Sequence, residues 1–181
     1  MKTGLFFGTY NPIHVGHMVI ANYMVEFTDL EKIWIVVTPH NPFKIKKSML
    51  QDYHRLTLVN LAIEADNRFK ASDIEFKLPQ PNYTIDTLTY LKESYPEHEF
   101  VLIMGADNLH HFHKWKNHEQ ILNEHELYVY PRDSFDALPL KDHKHVKFCD
   151  APIMRISSSF IRKAISEGKD VRHYMPKPVS D

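Results

Sequence analysis

The chain has 181 residues, one domain's worth at roughly 150 residues per domain, and nearly balanced charge, with 22 Lys and Arg against 23 Asp and Glu. At 43% hydrophobic and 25% charged residues it can bury a sizeable core, which excludes a disordered chain, and its neutrality argues against a dedicated nucleic-acid binder. The longest purely aliphatic or aromatic run, Ile33 to Val37, cannot span a bilayer, no signal peptide opens the chain, and the single cysteine, Cys149, fits a reducing cytoplasm.

Strands and helices alternate along the chain. Thr3 to Gly8 reads as a buried strand. Gly16 to Phe27 reads as a helix, with Val19, Ile20, Tyr23, Met24 and Phe27 on one face. Lys32 to Thr38 has the unbroken apolar run of a strand covered on both sides, and Pro39 ends it. Asp52 to Ala65 is expected as a helix with Asp52 as N-cap, and Phe69 to Ile74 as the third strand. Thr84 to Tyr95 is a helix capped by Thr84 and stopped by Pro96. Phe100 to Met104 is a strand ending at Gly105. Asp107 to Leu122 reads as one or two short helices, Glu126 to Tyr130 and His145 to Phe148 as strands, and Ser158 to Glu167 as a helix closed by Gly168. The pattern predicts an α/β fold: a Rossmann-like, doubly wound, mostly parallel sheet with helices on both faces. Ligands in such sheets bind at the carboxyl ends of the strands, where strand order reverses. The proline-rich stretches Pro39 to Lys47 and Leu78 to Asn82 read as loops within one domain covering residues 1–181.

Only 5 glycines occur, against 13 histidines. Two of those glycines fall in Gly8-Thr9-Tyr10-Asn11-Pro12-Ile13-His14-Val15-Gly16-His17, between the first strand and the first helix. A helix start offers free N–H groups and a positive dipole end, and His14 and His17, three positions apart, share a face on its first turn. That pattern suits a polyphosphate. It is neither a Walker loop nor the dinucleotide fingerprint. The plainer alternatives are half a zinc site or a solvated helix start. A second anion-binding helix start is Ile156-Ser157-Ser158-Ser159-Phe160-Ile161-Arg162, in which a serine caps the helix and Arg162 can fork onto phosphate oxygens. The alternative there is an ordinary serine cap with a solvated arginine.

These two strings resemble the signatures of the nucleotidylyltransferase superfamily, His-x-Gly-His and Ile-Ser-Ser-Ser-x-x-Ile-Arg. The wider first string is similar to the Gly-Gly-Thr-Phe-Asp-Pro-x-His of nicotinate or nicotinamide mononucleotide adenylyltransferases, with departures at Phe7 and Asn11. Further likenesses are the Pro39 to Lys44 loop, Tyr83-Thr84-Ile85-Asp86-Thr87-Leu88, Gly105-Ala106-Asp107 with Trp115 after it, and Val171 to Pro176. The resemblance runs from about residue 4 to residue 179. It implies transfer of an adenylyl group from ATP to nicotinic acid mononucleotide in NAD biosynthesis, releasing pyrophosphate, with Mg²⁺ accompanying ATP and no protein-held metal. It implies His14, His17, Lys44 and Arg162 as catalytic residues. It places ATP against Gly8, Thr9, Tyr10, His14, Gly16, His17, Gly105, Asp107, Ile156, Ser157, Ser158 and Arg162, and the mononucleotide against Asn11, Lys44, Thr84, Asp86, Thr87 and Trp115. The helix near 157–167 closes the ATP site. His110, His111 and His113 read as a solvated face rather than a metal site. Nicotinamide mononucleotide as acceptor, dual specificity, or a nucleotide-binding regulator without turnover stay open. So does the oligomeric state, a homo-oligomer included; neither nucleic acid nor membrane is expected as a partner.

Overall fold

A computed structural model describes residues 1–40, 49–135 and 139–181. Its strands are β1 (Lys2–Gly8), β2 (Lys32–Val37), β3 (Phe69–Ser72), β4 (Glu99–Gly105), β5 (Leu127–Tyr130) and β6 (Val146–Phe148). They form one six-stranded sheet in the order β3-β2-β1-β4-β5-β6, and every neighbouring pair is parallel. The helices are α1 (Val15–Phe27), α2 (Asp52–Ile63), α3 (Thr84–Ser94), α4 (Ala106–His111), α5 (His118–Glu124), α6 (Ser158–Ser166) and α7 (Lys177–Ser180).

Side chains alternate across a strand, so each strand supplies two cores. Phe6, Ile33, Ile35, Val37, Val101 and Ile103 point to the face covered by α1, through Ile20, Ala21 and Met24, and by α2, through Val59 and Ile63. Leu5, Trp34, Val36, Phe100, Leu102 and Met104 point to the other, covered by Ile85, Leu88 and Leu91 of α3, Leu109 of α4 and Ile121 of α5. Burial on both faces is why the central strands read as unbroken apolar runs. Each such side chain contributes roughly 1.5–3 kcal/mol when fully buried.

Three local expectations are corrected. The third strand stops at Ser72, whose hydroxyl accepts from the N–H of Ile74 at 3.3 Å, and Ile74–Phe76 curl into a single 3₁₀ turn. Asp52 is not the cap of α2: Gln51 holds that position, and the Asp52 carboxylate accepts instead from the His40 N–H at 2.8 Å and from Arg55. Thr84 is the first residue inside α3, with Tyr83 in the cap position and no side-chain cap bond. The start of α6 is as read, since the Ser157 hydroxyl accepts from the Phe160 N–H at 3.1 Å. Gly168, in the left-handed region at φ +74°, turns the chain away from its end.

The order reverses at the β1–β4 pair, so α1 and α4 depart from adjacent strand ends and leave a crevice between their starts. No helix of the described residues is long and apolar enough to cross a membrane.

Candidate active site

The loop leaving β1 is built from within. Tyr10 adopts φ +50°, which turns its side chain back beneath the loop, where its hydroxyl donates to the Phe6 carbonyl at 2.6 Å. Its ring then lies 4.8 Å from that of His17 and serves as a floor. His14 holds the N-cap position of α1 and donates its N–H to Nδ1 of His17 at 3.1 Å. The two imidazoles stack, centroids 3.7 Å apart and planes 23° from parallel. A Cβ at position 16 would fall 2.8 Å from Cε1 of His14, so Gly16 is what allows that ring to lie against the helix.

This geometry decides the protonation. Nδ1 of His17 is an acceptor, so the neutral ring carries its proton on Nε2 and can donate from there. Burial, and then the charge of Arg132, brings His14 down to about 4. Burial, His14 and Arg132 hold His17 well below the usual histidine range. At neutral pH the pair is a stack of neutral donors, and an anionic ligand would favour its protonation. Nδ1 of His14 is buried and has no partner among the described residues.

Facing the pair is the start of α6. A cavity of about 210 Å³ is lined by His14, Gly16, His17, Ile156, Ser157 and Ser158, with Phe6, Ile20, Tyr130, Arg132 and Met154 completing it. Two helix N-termini therefore converge on one space. Ser158 Oγ donates to the Pro12 carbonyl at 2.9 Å, and Arg162 donates to the Asn11 carbonyl at 2.7 Å. Arg162 also donates to Ser159 Oγ at 3.3 Å and stands behind the cavity wall, clamping α6 to the β1–α1 loop. Asn11 accepts from the Leu50 N–H through its own side chain.

Arg132 was not singled out from the sequence. It follows β5 directly, at a carboxyl strand end, which is the one signal that could have found it. Its Nε lies 3.9 Å from Asp107 in the first turn of α4, just past Gly105 in the cap position. Arg132 also lines an adjoining cavity of about 300 Å³ walled by Ala106, Tyr130, Phe135, Phe148, Cys149 and Ile153 among others. That mostly apolar space has the character of a site for a flat ring.

On the other side of the β1–α1 loop lies a cavity of about 280 Å³. It brings together Gly8, Thr9, Thr84 and Trp115 with Phe7, Thr38, Glu75, Asn82, Met104 and Asn108. Asp86 and Thr87 stand outside this wall. Asp86 is exposed and pairs with Lys116 at 3.4 Å, while the buried Thr87 donates to Glu75 at 2.7 Å. Glu75, in the turn after β3, was also missed. Lys44 lies outside the described residues. A third missed residue, Arg55, is wholly buried and donates to the carbonyls of Thr9 at 2.7 Å, Thr38 at 2.6 Å and Leu50 at 3.1 Å. Its signal was present: position 55 continues the buried stripe of Val59 and Ile63 on α2.

The cytidylyltransferase-like family model matches residues 5–164. The probable nicotinate-nucleotide adenylyltransferase of Flavobacterium johnsoniae is 58% identical over 181 residues, covering 99% of this chain and 94% of that protein. The protein of the same name from Bacteroides fragilis is 49% identical, covering 96% and 87%. Among solved structures, a Plasmodium falciparum nicotinic acid mononucleotide adenylyltransferase complexed with NaAD superposes with a TM-score of 0.80 over 98% of this chain and 92% of that one. At 19% identity, that likeness speaks for the fold alone.

Proposed function

The chain belongs to the cytidylyltransferase-like family, among its nicotinate-nucleotide adenylyltransferases, and from that premise we propose how its residues divide the work of adenylyl transfer. The reaction joins ATP and nicotinic acid mononucleotide. A 5′-phosphate oxygen of the mononucleotide attacks the α-phosphorus of ATP, the bond to the β-phosphate oxygen breaks, and pyrophosphate leaves with the new dinucleotide formed. No covalent enzyme intermediate is required, so catalysis comes from positioning and charge stabilisation.

The observation that carries this reading is the stacked His14–His17 pair at the start of α1, facing the Ser157–Ser158 start of α6 across one cavity. His17 Nε2, the Ser157 hydroxyl and the free N–H groups of both helices, that of Ser158 included, would hold the triphosphate, with Arg132 adding a positive charge that the sequence reading lacked. Arg162 and Asn11 keep α6 seated on the β1–α1 loop, and through that contact α6 closes the ATP side of the single domain, residues 1–181. Lys44 keeps its proposed role near the phosphates. The adenine base suits the apolar cavity beside Ala106 and Tyr130, with Gly105 and Asp107 behind its Arg132 wall. The mononucleotide suits the cavity of Gly8, Thr9, Thr84 and Trp115, where an indole face favours a cationic pyridinium and the first N–H groups of α3 can receive the nicotinate carboxylate. Thr87 and Asp86 would act from outside that wall, by placing the start of α3. Imidazoles, hydroxyls and guanidinium facing the phosphates suit Mg²⁺ carried by ATP and water rather than by a protein cage.

The test is pyrophosphate release with ATP and Mg²⁺, comparing nicotinic acid mononucleotide with nicotinamide mononucleotide. A preference for the acid of tenfold or more in kcat/KM, about 1.4 kcal/mol, is the expected result. Equal use would make the enzyme dual in specificity. ATP binding without release in either case would make the chain a nucleotide-binding regulator and overturn the proposal.

A further inference from the structure

Glu75 stands apart among the groups lining the mononucleotide-side cavity. It is 3% exposed, accepts from the Thr87 hydroxyl at 2.7 Å, and has the Thr38 hydroxyl as its other side-chain partner. Among the described residues it pairs with no Lys, Arg or His. Two neutral hydroxyls orient a carboxylate but leave its charge uncompensated, and a buried uncompensated charge is costly. Burial pushes this carboxyl upward, and the two hydroxyls only partly hold it down. Thr87 does not require it, since its hydroxyl also reaches the Tyr83 carbonyl at 3.4 Å. Among the described residues, nothing compensates that charge.

The chemistry of the mononucleotide supplies what is missing. Its ring nitrogen is quaternary, so the ring is a cation, and Trp115 offers an aromatic face in the same cavity. We propose that Glu75 is a specificity-determining residue whose carboxylate is the counter-charge for the pyridinium ring, so that the site selects the oxidised, cationic ring over a neutral one. This rests on the assignment of that cavity to the mononucleotide.

The experiment uses the full chain and titrates nicotinic acid mononucleotide and its 1,4-dihydro form, which has a neutral ring, with calorimetry as the readout. Glu75→Gln keeps an acceptor oxygen for Thr87 and removes only the charge. It should weaken the oxidised ligand by about tenfold, a ratio set by one lost charge interaction, while the dihydro form and ATP stay within about twofold. Glu75→Asp keeps the charge, so it should keep the preference for the oxidised ring even where both ligands bind more weakly. Equal weakening of both rings by Glu75→Gln, an unchanged affinity for the oxidised one, or loss of the preference in Glu75→Asp would each overturn the proposal. If the Gln variant does not fold, the Asp variant decides. Pyrophosphate release by the wild type tests the parent reading separately: turnover with an unmoved ring preference in the variants removes only the role of Glu75, and no wild-type binding of either ring removes the cavity assignment with it.

Discussion

Replacing Arg55 with Met tests whether the walls of the site are held from behind by a buried cation. The side chain is 0% exposed and sits where α2 meets the ends of β1 and β2. It donates to three carbonyls, those of Thr9, Thr38 and Leu50, and pairs with Asp52. Met fills similar volume but donates nothing. Orphaned buried acceptors cost about 1–3 kcal/mol each, but Leu50 and Thr9 lie near the surface and can recruit water. Breaking a buried pair by removing one partner costs about 3–5 kcal/mol, and Asp52, itself partly exposed, recovers some of this by hydration. A loss of about 3 kcal/mol is the expected result. At roughly 2–4 °C per kcal/mol for a chain of this size, that is a fall in Tm of about 6–12 °C, measurable by circular dichroism. KM for the mononucleotide should rise with it, because Thr9 and Thr38 both line that cavity. Arg55→Lys, a point charge without the fork, should fall between Met and wild type. A Met variant melting within 2 °C of wild type, on the same scale, with unchanged KM would refute the argument.

Three further outcomes are expected. His17→Ala should lower turnover by about 10²–10³ and raise the mononucleotide KM far less; pyrophosphate release within twofold of wild type would end its catalytic role. His14 titrates at about 4 in the folded chain against 6.5 as a free group, and His17 shifts the same way. The unfolded chain therefore takes up these protons first, so the stability they lend is whole above pH 6.5 and is lost as the pH falls toward 4. For His14 alone the loss is at most about 3 kcal/mol; the raised carboxyl of Glu75 opposes it. Urea unfolding of wild type and His14→Asn should show a shallower slope for the variant across that window, and equal slopes would count against neutral burial of the pair. Arg132→Ala removes a positive charge that depresses both imidazoles. Histidine titrations by NMR should then move upward in pH, and KM for ATP should rise; unmoved titrations would place Arg132 outside the electrostatic reach of the pair.

What was legible from the sequence was what is encoded locally. The alternation of unbroken apolar runs with amphipathic stretches specified a parallel sheet covered on both faces, because that pattern is the direct imprint of two-sided burial. The Gly8 to His17 string was legible for the same reason: cap, glycine and paired histidines all lie within one loop and one helical turn, while their stacking comes from the N-cap, where extended His14 donates its N–H to His17. The two misread caps mark the limit. Asp52 and Thr84 have the right chemistry for an N-cap, but a cap is decided by where the chain enters the helix. Asp52 was recruited by His40 and Arg55, distant partners that propensity does not see.

The residues missed are those whose role exists only across elements. Arg55, on α2, serves carbonyls at the ends of β1 and β2; Glu75, after β3, is held by hydroxyls from β2's end and α3; Arg132, after β5, projects its charge onto histidines at the start of α1. Glu75 and Arg132 read as ordinary surface residues in their own windows, and only Arg55 left a local trace, in the Val59–Ile63 stripe. Arg162 shows the reverse: expected on the phosphates from its local string, it also carries a contact across elements, a clamp on the Asn11 carbonyl. An arginine bonded to a backbone carbonyl keeps spare donors, since the guanidinium has five. Holding α6 in place and reaching a phosphate are thus compatible, and Arg162→Lys separates them. Lysine can keep one contact to Asn11 but not a fork onto phosphate oxygens. If the clamp is the larger role, the Lys variant retains most of its thermal stability and most of its ATP affinity. If phosphate contact is the larger role, stability holds while KM for ATP rises and turnover drops. An Arg162→Ala variant that keeps both stability and full activity fits neither role, and would show that α6 is seated by Ser158 and the Ile161–Ala164–Val171 cluster instead.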